Sequence, residues 1–127
     1  MQLSRLQRMV IDAVEDVKGQ DIRVFNTTEL SDLFDRVVLV TATSNRQTRA
    51  MASHVAEKAK RAGASVLSVE GAEAGEWVLV DLGDVVVHIM QPAIRAYYAL
   101  EEIWGGKPVR VKLAAASRPA RRAPGGR

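Results

Sequence analysis

Cysteine is absent from this chain of 127 residues. Without cysteine the protein forms no disulfide and holds no metal through thiolates, which suits a reducing compartment. The sequence also lacks an apolar run of about 18 residues, the length that spans a membrane. Its first residues lack the continuous apolar segment of a signal peptide. Together these absences predict a soluble, cytoplasmic protein.

Motifs for catalysis and for nucleotide or metal binding are also missing. No glycine-rich phosphate loop of the form GxxxxGK[ST] occurs. The two histidines, His54 and His88, lie far apart and make a poor zinc site without cysteine. Asp81, Asp84 and His88 fall within one short stretch, which suggests acid–base chemistry. However, carboxylates beside a turn are usually solvated turn residues. The sequence therefore favours a protein that is not an enzyme, with no cofactor and no metal.

Acidic residues are missing from the end of the chain. All 15 acidic residues precede Gly106, whereas seven of the 18 basic residues follow it. The chain up to Gly106 therefore has 11 basic and 15 acidic residues, a net charge of −4, and the remainder carries +7. We predict a domain over residues 1–105 and a basic, disordered tail over residues 106–127.

The basic tail has two interpretations from sequence. A basic segment without acidic residues binds phosphate backbones without reading their sequence, so the tail could contact RNA. Alternatively, it only keeps the protein in solution. No aromatic residue lies among its basic residues, so base stacking is not indicated.

Hydrophobic periodicity predicts alternating helices and strands. A helix begins at Leu3 and ends before Gly19, and strands follow over residues 21–25 and 36–42. Ser44 and Gln47 form a capping-box pattern that opens a second helix, which ends near residue 62. A strand over residues 65–69 comes next, and the strand–helix–strand order predicts that it pairs in parallel with strand 36–42. The predicted fold is α/β, with a mixed sheet of about five strands packed with helices.

Residues 76–90 predict a β-hairpin with two different faces. A two-residue turn at Leu82–Gly83 would place Val80 opposite Val85 and Trp77 opposite His88. One face is uniformly aliphatic and should form the core: Val78, Val80, Val85, Val87 and Ile89. The other face mixes polar and apolar side chains, which suits a wet surface or a partner: Trp77, Leu79, Asp81, Asp84, Val86 and His88.

A closing helix is predicted from Pro92 to Trp104. Its apolar side chains cover more of the circumference than a helix lying on one sheet requires. Glu101 falls inside this apolar stripe, between Tyr97, Tyr98 and Trp104, whereas Arg95 and Glu102 fall on the polar side. Tyrosine, tryptophan and a carboxylate on a half-exposed face are typical of a protein–protein contact. The alternative is that the aromatic residues cover the sheet edge and Glu101 is solvated.

Four runs of sequence resemble one known family. They are VKGQD (17–21), TATSNRQ (41–47), EWVLVDLGDVVVHIMQP (76–92) and RAYYALEEIW (95–104). Together they are similar to the ribosomal silencing factors, also called the Iojap family. The resemblance covers Leu3 to Trp104 and stops beyond Gly105.

The resemblance implies a fold and a function. The fold is a mixed sheet like that of nucleotidyltransferases, without their catalytic carboxylates. The function is to bind the fourteenth large-subunit protein on the intersubunit face of the large ribosomal subunit. The small subunit is then blocked sterically, and translation falls when nutrients are short. No cofactor is implied.

The same resemblance points to partner-binding residues. Trp77 corresponds to the family's tryptophan, and Tyr98, Leu100 and Glu101 fall where the family contacts the ribosome. Asp81, His88 and Tyr97 match the family pattern, and Trp104 completes the aromatic set. The partner-binding residues predicted here are thus Trp77, Asp81, His88, Tyr97, Tyr98, Leu100, Glu101 and Trp104. Two other functions remain open: an enzyme acting on nucleotides, by fold analogy alone, and an RNA-binding factor acting through the tail. Both a monomer and a homodimer fit the sequence.

Overall fold

The computed structural model describes residues 1–104 and 107–113. Its elements, in chain order, are α1 (Leu3–Asp16), β1 (Gln20–Asn26), β2 (Arg36–Thr41), α2 (Asn45–Arg61), β3 (Ser68–Glu70), β4 (Trp77–Asp81), β5 (Val85–Met90), α3 (Pro92–Tyr98), α4 (Glu101–Trp104) and β6 (Pro108–Val109). The strands form one sheet in the order β3-β4-β5-β2-β1-β6. Strands β2 and β5 are parallel, and the other neighbours are antiparallel. The predicted α/β fold with a mixed sheet is confirmed, with six strands rather than about five.

Helices α1 and α2 cover one face of the sheet and enclose the larger core. The side chains of Val10, Val14, Met51 and Val55 are fully buried against the aliphatic side of β2, β4 and β5. Helix α2 begins as the capping pattern predicts, because the Ser44 hydroxyl accepts a hydrogen bond of 3.0 Å from the backbone N–H of Gln47.

The predicted parallel pairing of β3 with β2 is wrong. Strand β3 runs in the same direction as β2 but pairs only with β4, at the edge of the sheet. The place beside β2 is taken by β5, whose six residues are all buried. A strand buried on both faces needs two neighbours, whereas the exposed Val69 and Glu70 of β3 suit an edge position.

The β4–β5 hairpin turns one residue later than predicted, at Gly83–Asp84. The backbone N–H of Leu82 donates to the carbonyl of Val85 at 3.0 Å, and Gly83 has a φ of +90°. Two-residue hairpin turns require a positive φ at the first loop position, which glycine adopts without strain and leucine does not. The pairing therefore shifts by two residues, so that Trp77 lies opposite Met90 and Leu79 lies opposite His88. A shift of two keeps every side chain on its face, and the predicted core face is confirmed as fully buried.

The closing helix is not continuous, contrary to the prediction. Helix α3 ends at Tyr98, Ala99 adopts a left-handed conformation with φ +48°, and the short helix α4 begins at Glu101. The break allows the chain to turn back over the second face of the sheet, which buries Leu100. Part of the surplus apolar surface expected for one long helix is thereby covered, whereas Tyr97, Tyr98 and Ile103 stay exposed.

Residues 107–113, here called the C-terminal strap, are ordered against the domain rather than part of a disordered tail. Strand β6 pairs with β1 at the sheet edge, and the Arg8 guanidinium donates to the carbonyl of Lys112 at 2.7 Å. Val109, Val111 and Leu113 pack against the core on the α1 side. Their alternating apolar spacing is the sequence signal for this segment. The rest of the predicted tail, residues 114–127, and residues 105 and 106 lie outside the described residues.

Candidate partner-binding surface

The second face of the sheet carries a smaller core that is covered mainly by α3 and α4. Its buried residues are Phe25, Val37, Leu39, Met90 and Leu100, and four partly buried side chains pack against them: Phe34, Trp77, Ile94 and Trp104. Because α3 has seven residues and α4 only four, they leave several of the large side chains beside them in contact with solvent.

Five aromatic rings meet where β4 and β5 run under α3 and α4. We call Trp77, His88, Tyr97, Tyr98 and Trp104 the aromatic cluster. The Trp77 ring centroid lies 4.9 Å from that of Tyr98 and 5.8 Å from that of His88. His88 is also 5.8 Å from Trp104, and Tyr97 meets Tyr98 edge to face at 5.0 Å. Tyr97 is 81% exposed and Tyr98 is 50% exposed, so the cluster extends from the core to the surface.

His88 lies at the base of the cluster and fixes the orientation of Trp77. The indole Nε1–H of Trp77 donates to Nδ1 of His88 at 3.0 Å. Since Nδ1 accepts, the neutral ring carries its proton on Nε2. Burial lowers the pKa of His88 to about 4, because the charged ring would lose its hydration. His88 is therefore an uncharged support for Trp77 at neutral pH.

Glu101 is paired inside the protein. Its Oε2 accepts a hydrogen bond of 3.0 Å from Nε of Arg95, which is itself buried. The Glu101 carboxylate therefore has a hydrogen-bond donor within the domain. The predicted placement of Arg95 on the polar side is wrong, because Arg95 is buried. The break at Ala99 rotates α4 relative to α3. Treating residues 92–104 as one continuous helix therefore predicts the wrong contacts between side chains before and after Ala99.

Further contacts hold the Arg95 guanidinium under α3. Its Nη1 donates to the Thr41 hydroxyl at 2.9 Å and to the backbone carbonyl of Asp21 at 2.6 Å. Its Nη2 has no hydrogen bond within the described residues and lies 3.6 Å from the Asp21 carboxylate. Arg95 thus ties α3 and α4 to the ends of β1 and β2.

Two of the predicted contact residues have other positions. Leu100 is buried in the smaller core and supports the cluster from beneath. Asp81 lies at the opposite end of β4 from Trp77, about 13 Å along the strand at ~3.3 Å per residue. Its carboxylate accepts from the backbone N–H of Gly83 at 2.9 Å, as a turn residue does. The structure therefore does not bring Asp81 to the aromatic cluster.

Apolar residues that the sequence analysis did not select also lie on this side. Phe34 packs against the same smaller core as Trp104, and its neighbour Leu33 is 84% exposed. Ile103 on α4 is 61% exposed. In the sequence, Leu33 and Phe34 are two adjacent apolar residues within a polar loop. That pattern could have indicated that they belong to this surface.

In residues 1–104 and 107–113, no three His, Asp or Glu side chains come together as a metal site would need. Within the same residues, no helix has the length and apolar character needed to cross a bilayer.

The described residues form an α/β fold with a partly exposed aromatic cluster on one face of its sheet. Comparison with known proteins gives its family. The family described as "Ribosomal silencing factor during starvation" matches residues 1–125. The chain is 49% identical to the "Ribosomal silencing factor RsfS" of Chromobacterium violaceum, over 84% of this chain and 88% of that protein. It is 37% identical to "Protein Iojap, chloroplastic" of Zea mays, over 73% of this chain and 40% of that protein.

A solved structure agrees with these matches. A crystal structure of a protein from Chromobacterium violaceum superposes with a TM-score of 0.81 at 46% identity, covering 91% of this chain and 97% of that one. The chain therefore belongs to the ribosomal silencing factor family, to which the Iojap proteins are related. Membership implies association with the ribosome and a role in regulating translation.

Proposed function

We propose that this protein binds the fourteenth large-subunit protein on the intersubunit face of the large ribosomal subunit. Bound there, it blocks association with the small subunit by occupying the same space, and translation falls when nutrients are limiting. The protein acts in the cytoplasm, requires no cofactor and catalyses no reaction. Family membership supports the ribosomal role, and the resemblance in the four sequence runs supports the partner and the mechanism.

The exposed aromatic cluster is the observation that carries this proposal. Tyr97 and Tyr98 present large side chains to solvent, and Tyr98 rests on Trp77. Trp77 in turn is held by its hydrogen bond to the buried His88. Rings fixed in this way lose little conformational freedom on binding, which favours affinity. Tryptophan and tyrosine are also the residues that most often dominate interface energies.

Charge beside the cluster indicates the chemistry of the partner. Glu101 and Glu102 begin α4, and the Arg95 guanidinium that faces Glu101 is buried. The accessible charge at this end of the surface is therefore negative. A partner that presents lysine or arginine side chains around an apolar centre would be complementary to it.

Co-sedimentation with isolated ribosomal subunits tests the proposal. The wild-type protein should pellet with large subunits and not with small ones. Tyr98→Ala should weaken binding by about 2 kcal/mol, roughly 30-fold, if Tyr98 is a central contact. Leu67→Ala is the matched control, because Leu67 is similarly exposed but precedes β3 at the far edge of the sheet.

A joining assay tests the mechanism. Light scattering of mixed subunits should show that the wild-type protein slows or prevents association and that Tyr98→Ala does so only at higher concentration. If Tyr98→Ala and Leu67→Ala both bind and inhibit like the wild type, the aromatic cluster is not the contact surface.

We propose in addition that the basic tail contacts ribosomal RNA once the domain has docked, which would add avidity without new specificity. Its test needs a truncation after Leu113, because a truncation after Gly106 would also remove β6 and the packed side chains of the C-terminal strap. Removing residues 114–127 should lower affinity for large subunits and flatten its salt dependence. Equal salt slopes with and without these residues would assign the tail a solubilising role only.

A further inference from the structure

Charge is divided unequally between the two sides of the sheet. Helices α1 and α2 carry seven basic and four acidic residues, a net charge of +3. The other residues up to Leu113 carry seven basic and 11 acidic residues, a net charge of −4. Helices α1 and α2, which cover the sheet face opposite the aromatic cluster, are therefore more basic than the rest of the chain up to Leu113.

The basic residues of the helical side are largely free to bind something else. Arg8 and Lys58 neutralise Asp12 and Asp16 through contacts of 3.0 and 3.1 Å. Within the described residues, four further cations make no ion pair or side-chain hydrogen bond and are exposed: Arg5, Arg46, Lys60 and Arg61. These side chains are available to bind an anionic ligand, because no acidic residue of the described chain is paired with them.

The exposed residues of α2 form one straight stripe. After Asn45 at the start of the helix, they recur at helical spacing from residue 46 to residue 61: Arg46, Arg49, Ala50, Ser53, Glu57, Lys60 and Arg61. The stripe is about 22 Å long at ~1.5 Å per residue. It contains no large apolar side chain, so it lacks what an amphipathic helix inserts into a membrane.

Helix α1 and the C-terminal strap extend the basic end of this stripe. A groove between the start of α1 and the end of α2 is lined by Arg5, Arg8, Asp12 and Lys58, among others. Of these cations, Arg5 has no ion pair within the described residues. The Arg8 guanidinium also holds the strap through the carbonyl of Lys112. The strap thus holds Val109, Val111 and Leu113 against the core on the α1 side.

We infer that the outer face of α1 and α2 is a second binding surface, and that its ligand is the sugar-phosphate backbone of double-stranded RNA. Lysine and arginine side chains spaced along a surface of small residues suit the regularly spaced phosphates of a nucleic acid better than a single acidic patch on a folded protein. This surface lies across the sheet from the aromatic cluster, so protein and RNA can be bound at once.

Fluorescence anisotropy with a labelled, self-complementary RNA duplex at increasing KCl concentrations tests the inference in the full-length protein. Each phosphate contact contributes about 0.9 to the slope of log affinity against log salt. Lys60→Gln/Arg61→Gln should therefore lower the slope by about 1.8. Between about 50 and 200 mM KCl, the variant should lose roughly 12-fold less affinity than the wild type.

The controls distinguish the effect of removing a positive charge at one position from the effect of a change in net charge. Arg61→Gln and Arg23→Gln remove the same charge, but Arg23 is an exposed residue of β1 on the other side of the sheet. Only Arg61→Gln should lower the slope, and circular dichroism should show both variants folded. Equal changes in the two variants, an unchanged slope in the double variant, or no duplex binding by the wild type at low salt would each overturn the inference. Tyr98→Ala should bind the duplex normally, so a failure of the proposed protein contact is detected separately.

Discussion

The pair formed by Arg95 and Glu101 predicts that Glu101→Ala will destabilise the domain. The change removes the 3.0 Å contact to Nε and leaves a buried guanidinium with less compensation. Breaking a fully buried pair costs about 3–5 kcal/mol. Here the cost should be smaller, about 2 kcal/mol, because the Glu101 side chain is 34% exposed and Arg95 keeps its bonds to Thr41 and Asp21. The midpoint of thermal unfolding should fall by about 7 °C for a chain of this length.

A double-mutant cycle measured by urea unfolding checks this reasoning. Glu101→Ala, Arg95→Met and the double variant give the coupling energy between the two side chains. We expect the double variant to be less destabilised than the sum of the single changes by about 1.5 kcal/mol or more, because Arg95→Met removes the uncompensated charge.

Glu102→Ala is the matched control, since Glu102 is exposed and its side chain makes no hydrogen bond or ion pair within the described residues. It should change the free energy of unfolding by less than about 0.5 kcal/mol. The reasoning is refuted if Glu101→Ala and Glu102→Ala have the same effect, or if the cycle gives no coupling energy.

Three further predictions concern local features. The pKa of His88 in the folded state, about 4, lies below its ordinary value of 6.5. The unfolded chain therefore binds this proton more readily, and stability should fall by up to about 3 kcal/mol as pH drops from 6.5 to 4. Urea unfolding across this range should show that the free energy of unfolding depends less on pH in His88→Phe than in the wild type. The carboxylates contribute equally in both proteins, so the difference reports His88. Ala99→Gly should raise the free energy of unfolding by about 0.5 kcal/mol, because φ is +48° at this position and glycine adopts it without strain; a loss of stability would contradict this. Ser44→Ala should lower stability by about 1 kcal/mol through loss of the α2 cap, whereas Thr43→Ala, which leaves the Ser44 cap in place, should cost less.

Sequence periodicity predicted which face of the sheet a side chain occupies better than it predicted which strands pair with each other. The aliphatic face of the hairpin was identified correctly although the turn was placed one residue early, because a register shift of two preserves alternation. The order of strands depends on which strand can be buried on both faces. Val85–Met90 can be buried on both faces and Ser68–Glu70 cannot, so Val85–Met90 lies beside β2. The order strand–helix–strand does not by itself show this difference.

The candidate site was predicted in composition but not in its internal contacts. The aromatic residues could be selected because they lie in two short runs of the sequence. The pairing of Arg95 with Glu101 could not, since it depends on a left-handed residue at Ala99, where the sequence has no glycine or asparagine to indicate one. The hydrogen bond from Trp77 to His88 depends on the shifted register, because the two residues are diagonal rather than opposite in the hairpin.

The two edges of the sheet bear on aggregation. Strand β6 has only two residues and begins with Pro108, which has no N–H to offer another chain. Strand β3 at the other edge has three residues and includes Glu70. Short edges with proline or charge discourage a second molecule from extending the sheet. A proteolytic cut before Lys107 would remove this protection from β1 and uncover Val24 and Phe25, which pair with β6. The cut protein should then self-associate at concentrations where the intact chain does not.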